Sequence, residues 1–105
     1  MPNYLLVYHG GAMPESEEEG ARAMQAWMAW FGVLGDAVVD GGNPVGMSKT
    51  VHPGGRVADD GGSNPTSGYS VIKAGSIDDA IAMAQGCPHL ESNGTVEVAE
   101  IIEMG

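Results

Sequence analysis

The sequence predicts a small α+β domain of ferredoxin-like order, βαββαβ, with a β-hairpin inserted before the third main strand. Three observations carry the prediction. Two capping boxes, Ser16 with Glu19 and Ser76 with Asp79, each open a stretch of apolar residues at helical spacing. Four β-favouring runs flank those helices in the order the fold requires. Two helices can cover only one face of four strands, yet the first and third main strands carry apolar residues in both phases. A second copy of the chain is the economical cover for the other face.

Residues 3–9, Asn-Tyr-Leu-Leu-Val-Tyr-His, are apolar, aromatic and β-favouring, and Gly10-Gly11 ends them. This is the first strand, expected to be buried on both faces or nearly so. Ser16 then caps a helix whose first turn, Glu17 to Glu19, sets negative charge at the positive end of the helix dipole. Met24, Trp27, Met28, Phe31 and Leu34 recur at three- and four-residue spacing as the stripe that lies on the sheet, with Trp30 at its edge. Gly35 closes the helix, being free to take left-handed backbone angles. Residues 36–40 supply a short second strand.

Between Gly41 and Gly68 the chain is punctuated by Gly-Gly pairs, Asn43-Pro44, Pro53-Gly54 and Asn64-Pro65, all turn formers. Two β-like runs survive there, 47–52 and 56–59, joined by His52-Pro53-Gly54-Gly55 into a hairpin. Residues 69–74 form the next main strand. Ser76 opens the second helix, lined on one side by Ile77, Ala80, Ile81 and Ala84 and stopped by Gly86 and Pro88. Residues 95–103 are the last strand, with a bulge expected near Glu100 because Ile101 leaves the phase of Val96 and Val98.

Bulk properties narrow the function classes. At 105 residues the chain has the length of one domain with a modest core. The net charge of −10 sets 14 acids against only Arg22, Lys49, Arg56 and Lys73, so no basic patch exists to neutralise phosphates or anionic lipid. Nucleic acid and membrane surfaces are therefore excluded as expected partners. A highly anionic ligand is disfavoured too, unless Arg22, Lys49 or Arg56 stands in its site. Cys87 is alone, which rules out an internal disulfide framework and points to a reducing cytoplasm. Neither a leader nor a membrane span is expected from the residues present.

The chain resembles the YCII-related family, in its branch of small proteins with a central Asp-Gly-Pro-Phe segment, called DGPF-domain proteins. The resemblance rests on Tyr4-Leu5-Leu6-Val7-Tyr8, Gly42 with Asn43-Pro44, Thr50-Val51, Asp60-Gly61, Gly68-Tyr69, Ile77-Asp78-Asp79-Ala80, and Cys87-Pro88 with Leu90 leading to Gly94-Thr95-Val96-Glu97-Val98. It implies a homodimeric α+β barrel in which two ferredoxin-like sheets face each other around a cleft. The eponymous segment departs here, reading Asp60-Gly61-Gly62-Ser63. Relatives are thought to pair a helix histidine with an aspartate on the next strand. Residues 16–34 hold no histidine, while Asp40 stands where the family's acid would fall.

Those implications yield candidate residues. His9 closes the first strand and is the candidate general base, since imidazole titrates near neutral pH; the plainer reading is a hydrogen-bonded strand-end residue. Asp40 is its candidate catalytic partner. Tyr8 and Trp27 would wall a small organic ligand, and Ser48, Thr50, Ser67 and Tyr69 would orient it by hydrogen bonds. His52, at the hairpin tip, reads as a solvent-exposed residue, and His89, after Pro88, as a residue of the helix-to-strand loop for which a structural role is the plainer reading. No two of the three histidines have local metal-ligand spacing, so no metal is expected, and without GxxxxGK or GxGxxG no nucleotide cofactor is expected either. The reading is a cofactor-independent small-molecule enzyme working by acid-base chemistry; the alternative is a module that binds the same ligand without turnover.

Overall fold

The structure, a computed structural model, describes residues 1–104. Six strands and two α-helices follow in order: β1 Asn3–Gly10, α1 Glu17–Leu34, β2 Val38–Pro44, β3 Thr50–Val51, β4 Val57–Ala58, β5 Thr66–Lys73, α2 Ile77–Ala84 and β6 Gly94–Glu100. The main sheet has the order β2-β5-β1-β6 with every neighbouring pair antiparallel, and β3-β4 is a separate hairpin. With both helices packed over it, this is the ferredoxin-like α+β arrangement the sequence predicts.

Strand alternation sorts the sheet into two unequal faces. Tyr4, Leu6 and Tyr8 of β1 and Ser70 and Ile72 of β5 are buried beneath the helices, joined by Ala80 and Ala84 of α2. Full burial of a side chain such as Leu6 stabilises the fold by about 2 kcal/mol. Among the described residues, Ser70 is the one buried residue that is not apolar or aromatic. Its hydroxyl accepts from Tyr8 Oη and donates to the Gly41 carbonyl, both at 2.7 Å, so the buried oxygen is satisfied. The opposite phase, with Leu5, Val7, Tyr69 and Val71, faces away from the helices and is half-buried in the single chain.

Both helices start at the predicted caps, with the serine half of each capping box formed. Glu19 and Asp79 backbone amides each donate to the Oγ of Ser16 and Ser76 at 3.1 Å. The Glu19 carboxylate reaches back one residue beyond the cap, to the Glu15 amide at 2.8 Å. Gly35 ends α1 at φ 55°.

Four details differ from expectation. On α1, Met24 and Met28 are mostly exposed while Trp30 is buried. The helix turns its stripe towards α2, where Trp30 Nε1 donates to the Met83 carbonyl at 3.0 Å, and Met28 stands about 100° round from Trp27. On α2, Ala80 and Ala84 are buried but Ile77 and Ile81 are largely exposed. The second strand starts at Val38, after a short 3-10 turn, and continues through Gly41-Gly42-Asn43 to Pro44. Register shifts on both sides of Asp40 absorb the glycines, and Gly42, at φ 74°, lies so close to β5 that a Cβ would fall on the Tyr69 carbonyl oxygen. Finally, β6 pairs with β1 without a bulge and stops at Glu100, leaving Ile101 to donate one last bond to the Asn3 carbonyl.

Candidate functional site

A cavity of about 500 Å³ opens between α1 and the ends of β2 and β5. Its wall is built from aromatic residues that the helix and the sheet bring together. Tyr8 meets Trp27 edge-on at 5.1 Å, and Trp27 meets Phe31 at 5.9 Å. Met24 flanks them from α1, while Gly41 to Pro44 of β2 and Ser67 to Tyr69 of β5 form the floor. The glycines keep that floor shallow. At one end stands His89, tilted against Tyr8 at 5.5 Å.

His89 is held by backbone. A Cβ on Gly11 or on Gly94 would occupy the space of its ring, so both glycines are there to admit it. Its Nε2 donates to the His9 carbonyl at 2.9 Å. A carbonyl can only accept, so the neutral ring carries its proton on Nε2 and its lone pair on Nδ1. The result is an oriented imidazole at the end of an apolar cavity.

Tyr8 gives its ring to the wall while its hydroxyl donates to Ser70 in the core. Burial pushes its phenol up to about 12, partly opposed by the bond to Ser70, so it stays protonated and neutral at any ordinary pH. Cys87, immediately before the His89 loop, is buried, and burial pushes its thiol up to about 11. It is a packing residue rather than a nucleophile. Among the described residues no three His, Cys, Asp or Glu side chains gather as a metal-binding group.

The residues named from the sequence divide between this cavity and elsewhere. Tyr8, Trp27, Ser67 and Tyr69 line it. Ser48 packs beside Gly61 and lines a separate depression of about 460 Å³. Thr50 Oγ1 donates to the Asp60 carbonyl at 2.8 Å and so ties the hairpin to the following loop. His9 and Asp40 are not brought together within one chain. His9 pairs with Thr66 and Asp40 with Val71, so their backbones lie about 19 Å apart by strand geometry.

Each has a local partner instead. Asp40 Oδ1 accepts from the Gly42 amide at 2.8 Å, which shapes the β2 irregularity. His9 Nε2 lies 2.9 Å from Glu97 Oε1, and Nδ1 lies 3.0 Å from the Asn64 carbonyl and 3.3 Å from that of Pro65. The Glu97 hydrogen bond, with help from the two carbonyls, raises the His9 pKa above its ordinary value against a smaller opposing effect of burial.

His89, which the sequence offers only as a residue of the helix-to-strand loop, lines the cavity. Its signal was present in Gly11 and Gly94, which look like turn formers until the fold brings them to either side of one ring. No spacing rule links positions 11, 89 and 94.

A two-helix, four-stranded antiparallel protein with an aromatic cavity under its first helix is the class that fold and site define. The YCII-related domain matches residues 4–105, and the chain belongs to that family. No curated protein matches it. Among the described residues no helix is long and apolar enough to cross a membrane.

Proposed function

We propose that the protein binds a small, largely apolar organic molecule in the cavity under α1, with His89 Nδ1 as the polar contact that orients it. The supporting observation is the combination of an aromatic wall with one imidazole whose tautomer is set by the His9 carbonyl. Within the family, the chain fits the DGPF branch through Asp60-Gly61 and their surroundings, with Gly62-Ser63 in place of Pro-Phe. Calorimetric titration with naphthamide tests the reading. The native chain takes up the probe, and Ala23→Phe, which fills the cavity from α1 without removing any wall residue, weakens uptake at least tenfold while leaving the melting curve cooperative. Equal uptake by both proteins would place the ligand elsewhere.

The oriented lone pair of His89 also favours a second reading, acid-base turnover without a cofactor. His89 would take a proton from a bound carbon acid through Nδ1, the nitrogen that the His9 carbonyl leaves free. Solvent-deuterium exchange into candidate haloacids, followed by proton NMR and abolished by His89→Gln, separates turnover from binding alone.

The assembly we propose is a homodimer closed over the half-buried face of Leu5, Val7 and Val71. The support lies in the shape. The Cα radius of gyration is 15.1 Å, against about 13 Å for a compact chain of this length, and the molecule is only 18 Å through its thinnest axis.

A further inference from the structure

The cavity continues outward past Pro14, Ala23 and Trp27 into a wider opening of about 1100 Å³. The inner part is aromatic and carries no charged side chain in its wall. The outer part is lined by Arg22, Glu19 and Glu91, with Ser92 and Asn93 beside them. Arg22 and Ala23 are neighbours on α1, so one helix turn presents a guanidinium at the mouth and a small residue at the cavity wall.

What singles out Arg22 among the four basic residues is its position, because it alone of them lines the outer opening. Lys49 pairs with Asp59 at 2.9 Å, away from the mouth. Among the described residues, Arg22 has no carboxylate partner within ion-pair distance. Glu19, three residues before it, spends one oxygen on the Glu15 amide. Among the described residues Arg22 is the one Lys or Arg side chain at the mouth, and its planar fork suits a carboxylate better than an ammonium would.

Resting on the binding reading above, we propose that the ligand is an amphipathic monocarboxylate, its apolar body against Tyr8, Trp27 and Phe31 and its carboxylate on Arg22. A dianion is disfavoured, because Glu19 and Glu91 stand on the same rim and the whole chain carries −10. A carboxylate without an apolar body gains only a solvent-exposed ion pair.

The test is calorimetric titration of the full chain at low ionic strength with three probes sharing one body: naphthoate, naphthamide and naphthylmethylammonium. Acetate serves as the body-less anion. The expected order is naphthoate first, about tenfold tighter than naphthamide, with acetate unmeasurable. Added salt narrows that advantage. Arg22→Gln brings the naphthoate-to-naphthamide ratio close to one, and Arg22→Lys keeps part of it. Naphthoate no tighter than naphthamide, preference for the ammonium, or an unchanged ratio in Arg22→Gln each overturns the assignment of charge while the cavity reading stands. Uptake of none of the three aromatic probes overturns both.

Discussion

His9 joins three separate parts of the chain through one ring. β1 carries it, β6 supplies the Glu97 carboxylate, and the loop before β5 supplies the Asn64 and Pro65 carbonyls. All three partners are acceptors, so the ring satisfies them best as an imidazolium with both nitrogens donating. Its folded pKa is raised, and the linkage has a definite sign. The stabilisation is fully present below the unfolded imidazole value of about 6.5. It is lost as pH rises through the higher folded value. Glu97 is largely in water, with its side chain 60% exposed, so the effect belongs to the scale of exposed pairs, about 0.5–1 kcal/mol. Urea unfolding at pH 6 and pH 8.5 should show the native chain losing that amount relative to His9→Gln; a constant difference between the two proteins would refute the linkage. The sequence made His9 legible as a polar strand-end residue but did not show its partners, because Asn64 and Glu97 are distant along the chain. For the same reason Asp40 and His9 looked like a pair until the strand register separated them.

At the scale of the element, each helix start rests on one serine. Ser16 and Ser76 accept the amide three residues on, and neither helix has a basic residue in its last turn to add a favourable dipole interaction at the other end. Ser16→Ala and Ser76→Ala should each cost about 1 kcal/mol, and the double substitution about twice that, since the caps share no partner. Thermal or urea unfolding checks it; a double mutant no less stable than either single one would refute independence. These elements were the legible part of the chain, because a capping box and helical spacing are local signals. The bounds of β2 were not. Gly41, Gly42 and Asn43 read as turn residues by composition, and only the pairing with β5, through two register shifts, makes a strand of them. The buried side of α1 was half legible for a similar reason. Periodicity finds a stripe, but the Met83 carbonyl on a distant helix decides that Trp30 turns inward while Met28 stays out.

The whole molecule is a two-layer slab with helices on one side only. Leu5, Val7 and Val71 on the other side are only half-buried, whereas Leu6 and Ile72, one residue away, are fully buried. A lysine at Val71, in the middle of the sheet, would place an unpaired charge inside the proposed dimer interface, at a cost of several kcal/mol. Val71→Lys should therefore elute and scatter light as a monomer at concentrations where the native chain is a dimer. A native chain that is monomeric at high concentration would end the dimer proposal. The acidic charge of the chain keeps such monomers from wider association.

The placement of the two indoles gives the protein an optical property. Trp27 lines the cavity and Trp30 lies in the core, with ring centroids 5.6 Å apart, and the chain holds no other tryptophan. At that separation excitation passes between the rings, so whatever quenches Trp27 also dims the buried Trp30. Near-ultraviolet emission from the unlabelled chain thus reports on cavity occupancy, while Trp30, beside the Met83 carbonyl, reports in the same spectrum on whether the two helices remain docked.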